Sequence, residues 1–197
     1  MVTIFAHRNG RTEQVDQVDP AWLPVDGGVV LWVDMAAPTA DESRILSETF
    51  KFHELAVEDS LSQAHHPKVE AYDGYLYLIL HGIDFEAAKH GFATHDTDFF
   101  LGPNYLVTIH DGKTRSAAKV RDICRRNEQA MAEGPAALLH RIVDAMVDNY
   151  LPEVEKLEDK LDGLEKEVFG RPSRSIVKRI LELKRDVSSL RRVTLPQ

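Results

Sequence analysis

Apolar residues recur at two different periods along this 197-residue chain, and the change of period divides it. In the last third, Val154, Leu157, Leu161, Leu164 and Val168 are spaced 3-4-3-4, and Ile176, Ile180, Leu183, Val187 and Leu190 follow at 4-3-4-3. That rhythm draws a narrow seam along a helix, which must be covered by other helices. Gly170-Arg171-Pro172-Ser173 separates the seams. Gly ends one helix and Pro starts the next, so the two can fold back as an antiparallel pair. Such a pair has no globular core of its own and reads as a device for assembly or for transmitting motion.

Residues 1–115 carry a different pattern. Val2–Ala6 predicts an edge strand, and Val29–Asp34 a strong strand with Leu31 and Val33 opposite Val30 and Trp32. Thr39 is placed to cap a helix and Glu42 to complete a capping box, with Ile45, Leu46 and Phe50 as the buried face. A second short helix covers about His53–Leu61, with Leu55, Ala56 and Leu61 as its apolar residues. Tyr72–Ile83 and Asp98–Leu101 read as strands around a soft loop, Glu86–Thr94. Gly102-Pro103-Asn104 turns the chain into Tyr105–His110, a strand placed to pair back as a hairpin. From Arg115 the period is helical. Gly134-Pro135 interrupts it, and Leu138, Leu139, Ile142, Val143, Met146 and Val147 form the next stripe. Pro152 marks a kink or a restart. Mixed elements followed by helices alone predict the α/β class, with a layered α/β domain over residues 1–135 and a helical extension over 136–197.

Composition narrows the function. Acidic residues outnumber basic ones by 32 to 24, a net charge of −8, which argues against a broad phosphate-binding face and against a nucleic-acid partner. Cys124 is the single cysteine, which excludes an intrachain disulfide and a multi-thiolate metal site; it reads as an inert thiol on a helix flank. No signal peptide is recognisable at the N-terminus. The longest aliphatic and aromatic run, Tyr75–Leu80, is far short of the roughly 18 residues that span a bilayer, so the chain as given is expected to be soluble.

The chemistry points away from an enzyme: GxSxG, GxGxxG, P-loop and HExxH patterns are all missing. His65-His66-Pro67 is the most conspicuous histidine cluster, but zinc needs three or four converging ligands and adjacent residues point apart, so it reads as a turn. A metal-dependent hydrolase built on His65, His66 and a carboxylate would lack a positioned nucleophile. His81, His90, His95 and His110 are scattered and each reads singly as a surface or satisfied core residue. The carboxylates offer more. Asp84 and Glu86 share a face if their strand continues, and Asp144 and Asp148 are one helical turn apart. Mg²⁺ prefers oxygen ligands and keeps much of its water, so two or three carboxylates suffice. Each pair by itself is ordinarily a solvated face. Residues 144–169 hold nine acidic side chains against Lys156, Lys160 and Lys166, a face suited to solubility or to attracting a divalent cation between subunits.

An ordered series of motifs carries a resemblance. Val57-Glu58-Asp59-Ser60-Leu61, His65-His66-Pro67-Lys68-Val69-Glu70 and the aromatic strand Tyr75–Leu80 resemble the signature of the CorA family of magnesium channels. Asp144-Ala145-Met146-Val147-Asp148-Asn149-Tyr150 resembles that family's segment before its long helices. Leu157-Glu158-Asp159-Lys160-Leu161-Asp162, Glu165-Lys166-Glu167-Val168 and Leu183-Lys184-Arg185 continue the match in order. The resemblance runs from about residue 29 to the end.

It implies an α/β/α sandwich with a mixed sheet followed by a long antiparallel helical hairpin. It implies the cytosolic sensor of a homopentameric channel, on the cytoplasmic side of the cell inner membrane. Such a channel carries Mg²⁺, with Co²⁺ or Ni²⁺ as further cargo, and Mg²⁺ held between protomers favours the closed state. By the same resemblance Glu86 falls where a family carboxylate contacts the metal, with Asp84 just before it; Asp144 and Asp148, from their helical spacing, are the weaker candidates. The family's Gly-Met-Asn pore motif, stalk helix and two transmembrane helices have no counterpart here, so the chain is expected to be a piece of a longer membrane protein. The zinc-transporting ZntB branch of the superfamily resembles the same fold and makes Zn²⁺ the alternative ion. A free-standing interaction protein that docks through its helical hairpin is the alternative of a different class.

Overall fold

Trp32 and Val33 are neighbours in one strand, both fully buried, and they belong to different cores. That alternation organises the molecule. The computed structural model describes residues 1–62, 66–84, 93–170 and 175–195. Strands β1 (Val2–Arg8), β2 (Arg11–Val15), β3 (Val30–Ala36), β4 (Lys68–Tyr72), β5 (Tyr75–Asp84), β6 (Ala93–Leu101) and β7 (Tyr105–His110) form one sheet in the order β2-β1-β3-β7-β6-β5-β4. Every neighbouring pair is antiparallel except β3 and β7, which run parallel at the centre. Six α-helices accompany the strands among the described residues: α1 (Ala40–Glu48), α2 (Glu54–Leu61), α3 (Arg115–Arg126), α4 (Pro135–Asp148), α5 (Leu151–Phe169) and α6 (Ile176–Thr194).

The first core lies between the sheet and α1 and α2. Val33, Met35, Tyr77, Ile79, Phe100, Val107 and Ile109 meet Leu46 and Ala56 there. Aromatic rings fill its middle, with Phe100 stacked on Phe52 at 4.1 Å and on Tyr77 at 4.7 Å between centroids. The second core lies under α3 and α4, where Trp32, Phe99 and Leu106 meet Val120, Cys124, Leu138, Ile142 and Met146. A strand with apolar residues on both faces is what a sheet covered on both sides requires. The result is the mixed α/β/α sandwich the motifs imply.

The elements depart from the sequence reading in instructive places. β1 is an inner strand, paired on both sides, because Arg11–Val15 adds β2 as the edge. The stretch read as one strand, Tyr72–Ile83, is the second half of a hairpin: Asp73 and Gly74 turn the chain, with Gly74 at φ +82, and Lys68–Tyr72 becomes the other edge strand. β6 begins at Ala93, earlier than the predicted Asp98. In α2, Ala56 is buried but Leu55 and Leu61 are exposed.

Pro152 lies in the first turn of α5, so it marks a restart after α4. α4 packs on the sheet, whereas α5 and α6 pack on each other. Lys160 meets Asp186 at 2.8 Å across the hairpin, and Arg179 pairs with Glu167. Leu164 is the one buried residue of α5, while Leu161, Val168, Ile180 and Val187 stay about half exposed. Two helices cover one side of each seam and leave the other side open. The predicted break at Arg171-Pro172-Ser173 lies outside the described residues, and so do His65, Glu86 and His90.

Candidate functional site

β3 and β7 lie side by side, and the chain leaves them in opposite directions. After β3 it passes Ala37 and Pro38 into α1 over the first core; after β7 it passes Asp111 and Gly112 into α3 over the second. Such a switch point opens a crevice outside the carboxyl ends of the strands. A cleft of about 860 Å³ lies there. Its walls include Ala37, Pro38, His110 and Asp111, then His81, His95, Asp96 and Asp98 from β5 and β6, then His66, and finally Ser189, Arg192 and Val193 of α6.

Histidine–aspartate pairs dominate the walls. Strand register sets His81 opposite Asp96, and their Nε2 and Oδ1 atoms are 3.2 Å apart. His95 Nδ1 lies 2.7 Å from Asp111 Oδ2. His110 Nε2 lies 3.2 Å from Asp34 Oδ1, both side chains fully buried. Asp34 also accepts from the Thr108 hydroxyl at 2.5 Å and from Arg121 at 2.6 Å, and Thr108 accepts from the Trp32 indole N–H at 3.1 Å.

The carboxyls of this network titrate apart. Burial is the largest influence on Asp34 and opposes its charge. The hydrogen bonds from His110 and Thr108, with the charges of His110 and Arg121, outweigh it and hold the carboxyl below its ordinary value. Asp111 is held low in the same way, its burial outweighed by the Lys113 backbone N–H and by His95. Asp98 goes the other way. Burial pushes it up to about 7, the nearby carboxylates Asp96 and Asp59 add to the rise, and the Tyr77 hydrogen bond only partly opposes it.

His81, His95 and His110, each read singly as a surface or satisfied core residue, are therefore gathered around one cleft, each held by its own carboxylate. Among the described residues no group of three His, Cys, Asp or Glu side chains converges to hold a metal ion. His66 lines the cleft and is exposed.

The predicted carboxylates lie apart from these pairs. Asp84 is the last residue of β5, paired with Ala93 of β6. Glu86 falls outside the described residues. Asp144 and Asp148 are exposed on α4, and Asp148 Oδ2 is 3.6 Å from Lys119 Nζ. α4 crosses β5 where Gly82 leaves room: a Cβ there would stand 3.6 Å from Met146 Cε. Just beyond α4 the Tyr150 hydroxyl donates to the His81 carbonyl at 2.7 Å. The end of β5, which carries Asp84, and the last turns of α4, which carry Asp144 and Asp148, thus meet at one end of the sheet. Asp144 and Asp148 offer hard oxygens, the donor type Mg²⁺ takes.

A sequence model of the family described as CorA-like Mg²⁺ transporter protein matches residues 27–197. The chain belongs to this CorA-like family. YfjQ of Bacillus subtilis, which carries the name of a metal ion transporter, is 32% identical over 189 residues, covering 96% of this chain and 56% of that protein. The cobalt/magnesium transport protein CorA of Thermotoga maritima is 28% identical over 196 residues, covering 98% of this chain and 55% of that protein. The CorA-like chain spans about half the length of these curated relatives. Its fold matches the soluble domain of CorA from Methanocaldococcus jannaschii with a TM-score of 0.77 at 19% identity, over 98% of this chain and 75% of that one. It also matches the ZntB cytoplasmic domain from Vibrio parahaemolyticus with a TM-score of 0.67 at 15% identity, over 97% and 76%. Among the described residues no helix is long and apolar enough to cross a membrane.

Proposed function

We propose that this chain is the cation-sensing part of a CorA-like transporter that carries Mg²⁺, with Co²⁺ and Ni²⁺ as further cargo, and that it gates the pore. The observation that carries the reading is the family match over residues 27–197. The crossing of α4 over β5 at Gly82 supports it, because β5 carries Asp84 and α4 carries Asp144 and Asp148. In this reading the full-length protein is a homopentamer on the cytoplasmic side of the inner membrane, held there by a membrane region outside this chain. Asp84 and Glu86 hold a regulatory cation, with Asp144 or Asp148 contributing, and neighbouring protomers complete its shell.

The physical logic is charge neutralisation. Carboxylates of adjacent protomers repel one another unless a cation lies between them. An ion bound in only one arrangement of the ring stabilises that arrangement by its differential affinity. Loss of the ion lets the ring loosen. The test is a Mg²⁺ titration of thermal stability and protease resistance. Glu86→Ala weakens the Mg²⁺-dependent protection and Asp84→Ala/Glu86→Ala removes it; an unchanged titration in the double variant overturns the assignment.

A further inference from the structure

The hairpin returns to the body through the last turn of α6. Val193 is the one buried residue of that helix, and with Ser189 and Arg192 it lines the switch-point cleft. A single valine is a small apolar anchor, so charge in the cleft weighs heavily on whether the turn stays docked. Among the described residues Arg192 shows no hydrogen-bond or ion-pair partner, although it lines the cleft together with Asp96, Asp98 and Asp111.

The charged surroundings of Asp98 are defined on every side. Tyr77 acts on it from β5, Asp96 from β6, Lys68 from β4 and Asp59 from α2, and His81 of β5 and Arg192 of α6 line the same cleft. Lys68 is tied to Asp59 at 2.6 Å and to Glu70 at 3.1 Å, so its charge is already balanced. Asp96 and Asp111 are paired with His81 and His95. Asp98 accepts a hydrogen bond from the Tyr77 hydroxyl, and Lys68, already shared between Asp59 and Glu70, offsets its charge only in part.

We propose that this cleft is a charge-operated clasp on the last turn of α6, which holds Arg192 and closes over Val193 when deprotonated and releases the turn when protonated. As pH falls Asp98 loses its negative charge, and the cleft attracts the guanidinium less. Burial of Asp98 places its own change near pH 7. Release of α6 passes the protonation state of the sheet to whatever the hairpin packs against. The clasp needs no metal and does not rest on the cation-sensing reading.

The test attaches a nitroxide to Thr194→Cys, at the exposed end of α6, and follows its mobility by EPR between about pH 5.5 and 8.5 without divalent cations. The native thiol, Cys124, is buried and stays unlabelled. The expected result is an immobile label at high pH that becomes mobile with a midpoint near 7. Asp98→Asn leaves the label mobile already at the alkaline end. Arg192→Gln, on an exposed side chain with no fold-bearing contact, loses the step while near-ultraviolet circular dichroism stays unchanged. An identical step in both variants, or none in the parent protein, overturns the clasp.

Discussion

The Tyr77 hydroxyl donates to the Asp98 carboxylate at 2.5 Å beneath α1 and α2. Register places Asp98 opposite Ile79, so Tyr77 reaches it diagonally across the β5–β6 pair, a distance aromatic side chains span. Burial raises both groups, and the carboxylate raises the phenol further, so the phenol keeps its proton and Asp98 holds one of its own through the acid range.

Stability should therefore fall as pH rises through this site. An aspartate in the unfolded chain titrates near 3.9, and Asp98 in the folded protein near 7. Between those values the folded state holds a proton the unfolded state has lost, so the contribution is complete below the lower value and is lost as pH passes the upper one. The full swing has an upper bound of roughly 4 kcal/mol. Urea unfolding of the parent protein and of Asp98→Asn at mildly acid and mildly alkaline pH measures it. The variant should show a clearly smaller difference, and an equal one would mean another group is responsible.

Asp34 predicts the opposite sign in a lower window. Its carboxyl is held below the ordinary range, so it stabilises above the unfolded aspartate value and that support disappears only as pH falls through its own depressed value. Asp34→Ala strips the buried partner from His110 and Arg121 together, a change that costs about 3–5 kcal/mol. Trp32 donates to Thr108, which donates to Asp34, so indole fluorescence reports the loss directly. A cost below about 1 kcal/mol would show that water replaces the carboxylate freely.

What was legible in the sequence follows what is local. The capping box is written in Thr39 and Glu42 alone, and both of its bonds form, at 3.2 and 2.8 Å. The seams of α5 and α6 need only their own spacing. β2 carries Arg11, Glu13 and Gln14 at the edge of the sheet, so no apolar alternation announces it. β4 was hidden because the stretch after it reads as one run, although Asp73-Gly74 inside that run is a hairpin signal. The histidine cleft is a matter of register. His110 and Asp34 are 76 residues apart, and only the parallel pairing of β3 with β7 brings them together. The β5–β6 register does the same for His81 and Asp96.

Gly102 should tolerate no side chain. The residue begins the turn between β6 and β7, and a Cβ there would stand 2.2 Å from the Tyr105 ring. That ring packs against Phe50 at 5.0 Å and Phe52 at 5.9 Å, so it cannot swing aside cheaply. Gly102→Ala is expected to cost about 1–3 kcal/mol through overpacking. Gly102→Ala/Tyr105→Leu should recover part of the loss. If the single variant unfolds with the midpoint of the parent, the turn relaxes more readily than the packing implies.

Lys119 offers a test of the weaker cation ligand. Its ammonium is 3.6 Å from Asp148 Oδ2, and both side chains are largely exposed. An exposed ion pair is a weak interaction, yet a cation that needs Asp148 must first displace Lys119. If Asp148 contributes to the proposed regulatory site, Lys119→Ala should tighten Mg²⁺ binding by about two- to fivefold, the range that exposed pairs support. Asp148→Asn should weaken it, and the two changes combined should match Asp148→Asn alone. Isothermal titration with Mg²⁺ at constant ionic strength separates this from general loss of positive charge, for which Lys156→Ala, in the same acidic stretch, is the control. Equal tightening in Lys119→Ala and Lys156→Ala would remove Asp148 from the site and leave the assignment to Asp84 and Glu86.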